Sequence, residues 1–251
     1  MAAGIAVGVL LGLASPALAQ QAPAAAASAA PAAPGALVEV QAGEPRLGRG
    51  WRVVTLPSQA PPVTRYSAVL ADGRPAVRIE AAASYGNFVH ALAGPAPRQL
   101  GWAWRVEQAN PGTVLRERSG DDSPAKVCLS FDLALNRVPF FERELLRVAR
   151  SRTAEPLPAA TLCWVWGGPE ARGSLLANPY SQRVRYIVLR NAGDSPGTWF
   201  DETRDVAADW QRAFGDESAE LPPVSAVIVA GDADNTRGSS QALVGGLRWG
   251  P

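Results

Sequence analysis

Histidine and cysteine are scarce in this sequence of 251 residues, which contains one His and two Cys. Zinc sites need several His or Cys ligands, so the composition excludes the usual zinc centres. Any Ser-His-Asp triad would have to use His90, which strand alternation in NFVHALAG places with Phe88 and Leu92 as a half-buried side chain. The sequence also lacks a phosphate-binding Gly-rich loop and a strand-linked dinucleotide motif. We therefore assign no catalytic residue and no certain cofactor.

Long runs of one charge are absent as well. The 24 Lys and Arg residues nearly balance the 23 Asp and Glu residues, and the formal net charge is +1. Nucleic-acid binders carry a concentrated basic patch or stripe, so we expect no nucleic-acid partner. The oligomeric state is left open by the sequence.

The N-terminus has the composition of an export signal. Residues 1–19, MAAGIAVGVLLGLASPALA, combine a short apolar core with the small-residue triplet Ala17, Leu18, Ala19, which predicts a cleaved signal peptide. Residues 20–36 are rich in Ala and Pro and predict a flexible tether, and we expect residues 37–251 to form a single domain. We expect a periplasmic or secreted protein whose mature chain has no transmembrane segment, because the apolar core is shorter than the ~20 residues that span a bilayer.

Ten short segments punctuated by Gly, Pro and Asp read as strands. They are Trp51–Leu56, Tyr66–Leu70, Ala76–Ala81, Asn87–Ala91, Gly101–Val106, Lys126–Phe131, Thr161–Trp166, Arg183–Leu189, Val224–Val229 and Gln241–Trp249. This spacing predicts a mostly β protein, an antiparallel β-sandwich or jelly roll.

Two segments have helical rather than strand periodicity. Apolar residues recur at helical spacing in VPFFERELLRVAR (Val138, Phe141, Leu145, Val148) and in RDVAADWQRAFG (Val206, Trp210, Phe214). Asp205 can cap the start of the second segment and Gly215 its end. We predict two short amphipathic helices that lie on an edge or end of a sheet.

Seven stretches, in order, resemble a family of exported bacterial proteins known as domain of unknown function 3047. They are GWRVVTLP, LGWAWRV, GDDSPAKVCLSFD, LCWVWGG, RVRYIVL, WQRAFG and VSAVIVAGDADNT, and they span most of residues 50–249. The resemblance implies a β-sandwich of the carbohydrate-binding-module type. It implies no reaction, since fold alone does not determine function.

Two acidic loops are the best candidates for a binding site. Asp232, Asp234 and Thr236 have the one-three-five spacing of calcium ligands, but Arg237 and Leu243 stand where an EF-hand needs Gly and Glu. Asn235 in the same loop is a further possible ligand. Asp121 and Asp122 could contribute as well if their loop lies near Asp232. Three readings stay open: turn chemistry, a calcium site made by Asp232, Asp234 and Asp122, and contact with a sugar by all five Asp and Asn residues.

Tryptophan and cysteine bear on the core. Trp102 and Trp104, like Trp164 and Trp166, are two residues apart and so share one face of a strand; their mostly apolar neighbours favour burial over a sugar platform. Cys128 and Cys163 lie in separate strands, and a disulfide requires those strands to be neighbours. Pairing is left open.

The leading functional hypothesis is an exported, non-catalytic β-sandwich that binds a glycan or another cell-envelope component through these acidic loops. One alternative is a carbohydrate-active enzyme, a glycosidase or lyase that uses the same carboxylates. Another is an envelope module that contacts proteins through exposed edge strands.

Overall fold

The computed structural model describes residues 33–56, 59, 62–153 and 157–250. The predicted signal peptide and most of the predicted tether lie outside these residues. The strands in chain order are β1 (Val38–Gln41), β2 (Glu44–Leu47), β3 (Trp51–Val54), β4 (Arg65–Ala71), β5 (Arg74–Ala82), β6 (Asn87–Gly94), β7 (Gln99–Gln108), β8 (Lys126–Phe131), β9 (Ala160–Trp166), β10 (Leu175–Asn178), β11 (Ser181–Arg190), β12 (Phe200–Asp205), β13 (Val224–Ala230) and β14 (Ser239–Gly250). The α-helices are α1 (Phe140–Arg150) and α2 (Val206–Phe214).

Two sheets dominate the fold. One has seven strands in the order β10-β11-β9-β8-β13-β6-β3, the other has five in the order β12-β7-β14-β5-β4, and β1 and β2 form a separate hairpin. All ten predicted strands are present, and the predicted β-sandwich is confirmed. One pair departs from the antiparallel expectation, because β9 and β11 run parallel.

The core lies between the two sheets and is rich in tryptophan. Trp102 and Trp104 on β7 are fully buried, as the sequence predicts, and they meet tryptophans of β9 from the facing sheet. The ring centroids of Trp102 and Trp164 are 5.6 Å apart, and those of Trp104 and Trp166 are 5.8 Å apart. These aromatic contacts across the sandwich join the five-stranded sheet to the seven-stranded sheet.

Helix α2 closes one part of this core as predicted. The Asp205 side chain caps its first turn by accepting from the Ala208 N–H at 2.9 Å, and Gly215 is its C-cap. Val206, Trp210 and Phe214 are buried, so the apolar face of α2 packs inward.

Helix α1 forms where predicted but presents its apolar face differently. Phe141 and Leu145 are 81% and 70% exposed, and Val148 is also exposed. Only Leu146 of this helix is buried. The helix is therefore attached through the side that carries Leu146, while Phe141, Leu145 and Val148 face solvent. No helix in the described part of the chain is both long and apolar enough to span a membrane.

A second, smaller apolar layer covers the outer face of the seven-stranded sheet. Along β8, Val127 and Leu129 point into the main core, so Lys126 and Cys128 point outward. The outer layer contains Leu115, Cys128, Cys163, Val165, Leu176, Tyr186 and Val188. Cys128 and Cys163 stand opposite each other on β8 and β9 and form a disulfide. The candidate site is built at the border of this layer.

Candidate functional site

The acidic loops meet in space. One carboxylate oxygen from each of Asp122, Asp232 and Asp234 lies within 4.8 Å of the other two. Asp121 adjoins Asp122 in sequence, and Asn235 donates from its Nδ2 to the Asp121 carbonyl oxygen at 3.2 Å. The structure thus brings all five sequence-predicted ligands together. We call Asp121, Asp122, Asp232 and Asp234 the acidic cluster.

Strand pairing explains why the loops meet. Strands β8 and β13 are antiparallel neighbours with Lys126 opposite Ala230, so the loop entering β8 and the loop leaving β13 share one end of the sheet. Two hydrogen bonds join these loops. The Ser123 N–H donates to Asp232 Oδ1 at 2.7 Å, and the Asp232 N–H donates to the Ser123 carbonyl at 3.0 Å.

Lys126 is the only lysine of the sequence, and it lies inside the cluster. Its Nζ is 2.5 Å from Asp232 Oδ2, and both side chains are buried. Although burial lowers the pKa of the ammonium, Asp232, Tyr186 and Asp121 together raise that pKa well above its usual value. The lysine is therefore a resident cation. Sequence reasoning missed it; the signal available was one lysine among 24 basic residues, at the start of an apolar strand.

Asp122 organises the loop that follows β13. Its Oδ1 accepts from the backbone N–H and the side-chain Nδ2 of Asn235, both at 3.2 Å. Its Oδ2 accepts from the backbone N–H and the hydroxyl of Thr236, at 2.8 and 2.5 Å. All four acceptor positions of this fully buried carboxylate are in use. For Asp122, the structural role that turn chemistry predicts is the one observed.

Asp121 has one oxygen in use and one free. Asn178 Nδ2 donates to Asp121 Oδ2 at 2.5 Å and also lies 2.6 Å from the Tyr186 hydroxyl. Asp121 Oδ1 is buried and has no hydrogen-bond partner among the described residues. Burial is the main cause that raises the pKa of this carboxyl to about 6.

Asp234 also has a free oxygen, and this oxygen is buried although the residue as a whole is partly exposed. The residue is half-buried, and its Oδ1 has no hydrogen-bond partner in the described part of the chain. Burial and the carboxylates of Asp232 and Asp122 raise its pKa. Asp121 and Asp234 are thus the two members of the cluster that retain unused acceptor capacity.

The carboxylates of this cluster raise the pKa of all four tyrosines of the sequence. Burial raises the pKa of Tyr66, Tyr85 and Tyr186, and the Asp232 carboxylate raises each further. Burial and carboxylates of the cluster raise the pKa of Tyr180 in the same direction. Tyr180 is 55% exposed, so it forms the outer surface of the site.

Tyr180 is held in place through its hydroxyl. The hydroxyl oxygen lies 2.6 Å from Asn235 Oδ1 and 3.0 Å from the Arg118 carbonyl oxygen, and it can donate to either. The Arg118 guanidinium lies over the ring, 5.2 Å from its centroid. The turn between β10 and β11 thereby joins the two acidic loops and completes the site.

A cation would meet an incomplete ligand set here. Asp232 Oδ2 already has the Lys126 ammonium beside it, and Asp122 has no unused acceptor position. The free oxygens of Asp121 and Asp234 remain as ligand atoms for a metal or as hydrogen-bond acceptors for a hydroxyl-rich ligand. The arrangement can accept hydrogen bonds or coordinate a hard cation.

A cleft of about 350 Å³ lies next to the loop that carries Asp234, and its lining includes no residue of the acidic cluster. Ser84 lines this cleft, and its carbonyl oxygen accepts from the Ala233 N–H at 3.0 Å, immediately before Asp234. Four of its lining residues come from four adjacent strands of the five-stranded sheet, namely Arg65, Glu80, Gln241 and Gln108.

Two features of the sequence that suggest a hydrolase, the single histidine and a Gly-x-Ser-x-Gly segment, are not placed as hydrolase catalysis requires. The ring of His90 accepts from the Gly35 N–H at 3.3 Å and contacts Trp51 edge-on. Residues 193–197 read Gly-Asp-Ser-Pro-Gly, the pattern of a hydrolase nucleophile elbow, but they form turns between β11 and β12. A nucleophile elbow joins a strand to a helix, and here a strand follows, so Ser195 is not placed as a nucleophile.

Comparisons with known proteins place the chain in a family. No curated protein matches the sequence. Among solved structures, the chain is similar to endoglucanase cel12A from Rhodothermus marinus, at 12% sequence identity and a TM-score of 0.41, over 80% of this chain and 91% of that one. The family model described as "Protein of unknown function (DUF3047)" matches residues 49–248, and the chain belongs to that family.

Proposed function

We propose that the protein is an exported, non-catalytic binding protein for a hydroxyl-rich ligand of the glycan type. The observation that carries this proposal is the pair of buried carboxylate oxygens, Asp121 Oδ1 and Asp234 Oδ1, for which the described residues offer no donor. A buried acceptor without a donor costs about 1–3 kcal/mol. Sugar hydroxyl groups donate hydrogen bonds and would satisfy both oxygens.

The charge of the site determines which glycans fit. Four carboxylates surround a single ammonium, that of Lys126, so the acidic cluster carries an excess of negative charge. Uronic-acid polymers would bring like charge to the site and bind poorly. Neutral sugars and amino sugars are the favoured classes, since an ammonium group would complement the remaining charge.

Two neighbouring features support a sugar-sized ligand. The exposed ring of Tyr180 offers an aromatic edge next to Asn235 of the site. The cleft of about 350 Å³ continues from the Asp234 loop along the five-stranded sheet, and its Arg, Glu and Gln side chains suit further hydroxyl groups. An oligosaccharide could occupy both.

Calorimetric titration with four oligosaccharide classes tests the proposal: neutral, N-acetylated, amino and uronic-acid oligomers. We expect binding to a member of the first three classes and weaker binding to the uronic acids. Asp234→Asn should weaken the binding at least about tenfold, because an uncharged amide accepts a hydroxyl proton less strongly. Asp201→Asn is the matched control, an exposed acid on β12 with a side chain 59% accessible. Absence of binding across all four classes would refute the proposal.

The carbohydrate-active enzyme stays the second candidate, and one observation favours it. A carboxyl group with a pKa of about 6, such as Asp121, is protonated often enough near neutral pH to act as a general acid. Incubating the same oligosaccharides with the protein and assaying new reducing ends or unsaturated products would separate the two. Product formation that Asp121→Asn abolishes would establish the enzyme.

Calcium is a further proposal for the same cluster. The convergence of three carboxylates within 4.8 Å favours it, while the Lys126 ammonium and the saturated Asp122 carboxylate oppose it. Thermal unfolding with excess chelator and with added CaCl₂ tests it. A bound ion stabilises the folded state in proportion to the logarithm of its concentration, so equal midpoints in both buffers would exclude the metal.

A further inference from the structure

Helix α1 presents a continuous apolar face to solvent. Phe140, Phe141, Leu145 and Val148 are 61%, 81%, 70% and 49% exposed. The spacing of Phe141, Leu145 and Val148 by four and then three residues places these side chains on one face of the helix. Soluble proteins rarely expose contiguous apolar patches unless the patch binds something.

The opposite side of α1 is firmly attached to the sandwich. Leu146 is buried, and Val138, just before the helix, is buried as well. Glu142 accepts a hydrogen bond from Arg183 Nε at 3.0 Å, and Arg183 is itself buried and paired with Glu217. The exposed face is therefore displayed on a fixed element.

Positive charge borders this apolar face. Residues 137–152 contain five arginines and two glutamates. Both glutamates are paired, Glu142 with Arg183 and Glu144 with Arg147. Arg137 precedes the helix and Arg152 follows it, and both are exposed. Cationic groups thus stand at each end of the apolar stripe.

We propose that α1 docks the protein on an anionic phospholipid surface, lying in the plane of the interface. An apolar face rich in Phe and Leu, bordered by Arg, is the pattern by which short amphipathic helices bind membranes peripherally. With 11 residues, α1 is about 16 Å long, which suits insertion of one face at the headgroup level. The basic ends select an anionic surface over a neutral one, because each arginine near such a surface adds favourable electrostatic energy.

Vesicle co-sedimentation of the full chain tests this docking. The probes are vesicles of phosphatidylcholine alone and vesicles that contain 30% phosphatidylglycerol. We expect preferential binding to the anionic vesicles. The double substitution Phe141→Ser and Leu145→Ser should lower the partition coefficient at least about tenfold, since two large apolar side chains no longer enter the interface. Arg137→Gln with Arg152→Gln should remove most of the preference for anionic lipid.

The matched control is Leu56→Ser with Leu70→Ser, which removes two apolar side chains that are 48% and 45% exposed elsewhere on the surface. This control should bind like the wild type. All variants keep residues 1–19 unchanged, so any vesicle binding by that apolar segment is the same in each and cancels in the comparison. Binding that the α1 substitutions leave unchanged overturns the proposal, as does equal binding to neutral and anionic vesicles. Absence of vesicle binding together with a dimer that Phe141→Ser dissolves would instead assign the face to a second copy of the chain.

Discussion

Lys126 Nζ and Asp232 Oδ2 lie 2.5 Å apart, and this ion pair is buried where two acidic loops join. The lysine begins β8, and the aspartate follows β13, so the pair links two adjacent strands at one end of the sheet. Through Ser123, Asp232 also bonds the loop that carries Asp121 and Asp122. The geometry of the acidic cluster depends on this pair.

Breaking the Lys126–Asp232 pair should destabilise the fold strongly. Asp232→Asn leaves the buried ammonium without its counter-charge, and we expect a loss of about 3–5 kcal/mol in the free energy of unfolding. The double variant Lys126→Met with Asp232→Asn should lose less than the two single variants together, because it leaves no unpaired charge. Denaturant unfolding of all four proteins measures this coupling. Additive losses would show that the two residues do not interact.

Stability should rise as the pH falls from neutrality. Burial raises the pKa of Asp121 from 3.8 to about 6. A carboxyl whose folded-state pKa is raised contributes stability that is complete below its unfolded pKa and is lost as the pH rises through its folded pKa. We therefore expect the free energy of unfolding to increase by about 1 kcal/mol between pH 7 and pH 5.

The variant Asp121→Asn identifies the group that titrates. Chemical unfolding at a series of pH values should give a flatter profile for this variant than for the wild type. The pKa of Asp234 is raised too, so part of the slope should remain. A wild-type profile that falls from pH 7 to pH 5 would contradict the expectation.

The two carboxylates Asp122 and Asp234 should differ sharply in their effect on stability. Asp122→Ala removes the acceptor of four hydrogen bonds that order the loop after β13, and we expect a loss of about 3 kcal/mol. Asp234→Ala removes a carboxylate with a partnerless buried oxygen and should change the free energy of unfolding by less than about 1 kcal/mol. Thermal and chemical unfolding of both variants compare them directly, and equal losses would disprove the division of roles.

The Cys128–Cys163 disulfide should stabilise the seven-stranded sheet. The two cysteines are 35 residues apart. Closing a loop of this length lowers the entropy of the unfolded chain, which stabilises the folded state by about 3–4 kcal/mol. The double variant Cys128→Ala with Cys163→Ala should lose an amount of this order in unfolding measurements. Thiol titration of the denatured, unreduced protein should find no free thiol, and two free thiols would refute the disulfide.

Sequence patterns located most of the fold because many of its strands are short, mostly apolar runs bounded by turn residues. Lys126–Phe131 and Val224–Val229 are examples in which apolar runs end at turn residues. Helix α2 was equally easy to predict from the sequence, since Asp205 and Gly215 mark its ends. These elements obey local rules, and local rules can be read from sequence.

Elements that are stabilised by residues distant in sequence could not be predicted from local sequence patterns. Strand β12, Phe200–Asp205, reads as a polar segment, yet Glu202 accepts hydrogen bonds from Arg190 and from Trp104, which lie on other strands. The outward orientation of α1 was also missed, because periodicity locates an apolar face without saying which side of the helix meets the sheet. Here Leu146 and the Glu142–Arg183 pair decide that orientation.

For the candidate site, the sequence identified the acidic residues but did not show whether their two loops lie close together in space. Antiparallel pairing of β8 with β13 brings Asp122 and Asp232 together, and this pairing joins residues about a hundred positions apart. The roles within the cluster follow from hydrogen bonds that only coordinates reveal. Asp122 has four donors, whereas Asp121 and Asp234 each keep a free oxygen.

The most direct measurement is the affinity of the double variant Asp121→Asn with Asp234→Asn for the oligosaccharide that the wild type binds most tightly. Calorimetry should show affinity reduced at least about a hundredfold, because both unused acceptors lose their charge. Unfolding of the same variant should show stability equal to or greater than that of the wild type. Unchanged affinity would contradict a binding site at the acidic cluster, and a parallel loss of affinity and stability would assign these carboxylates to the structure of the loops.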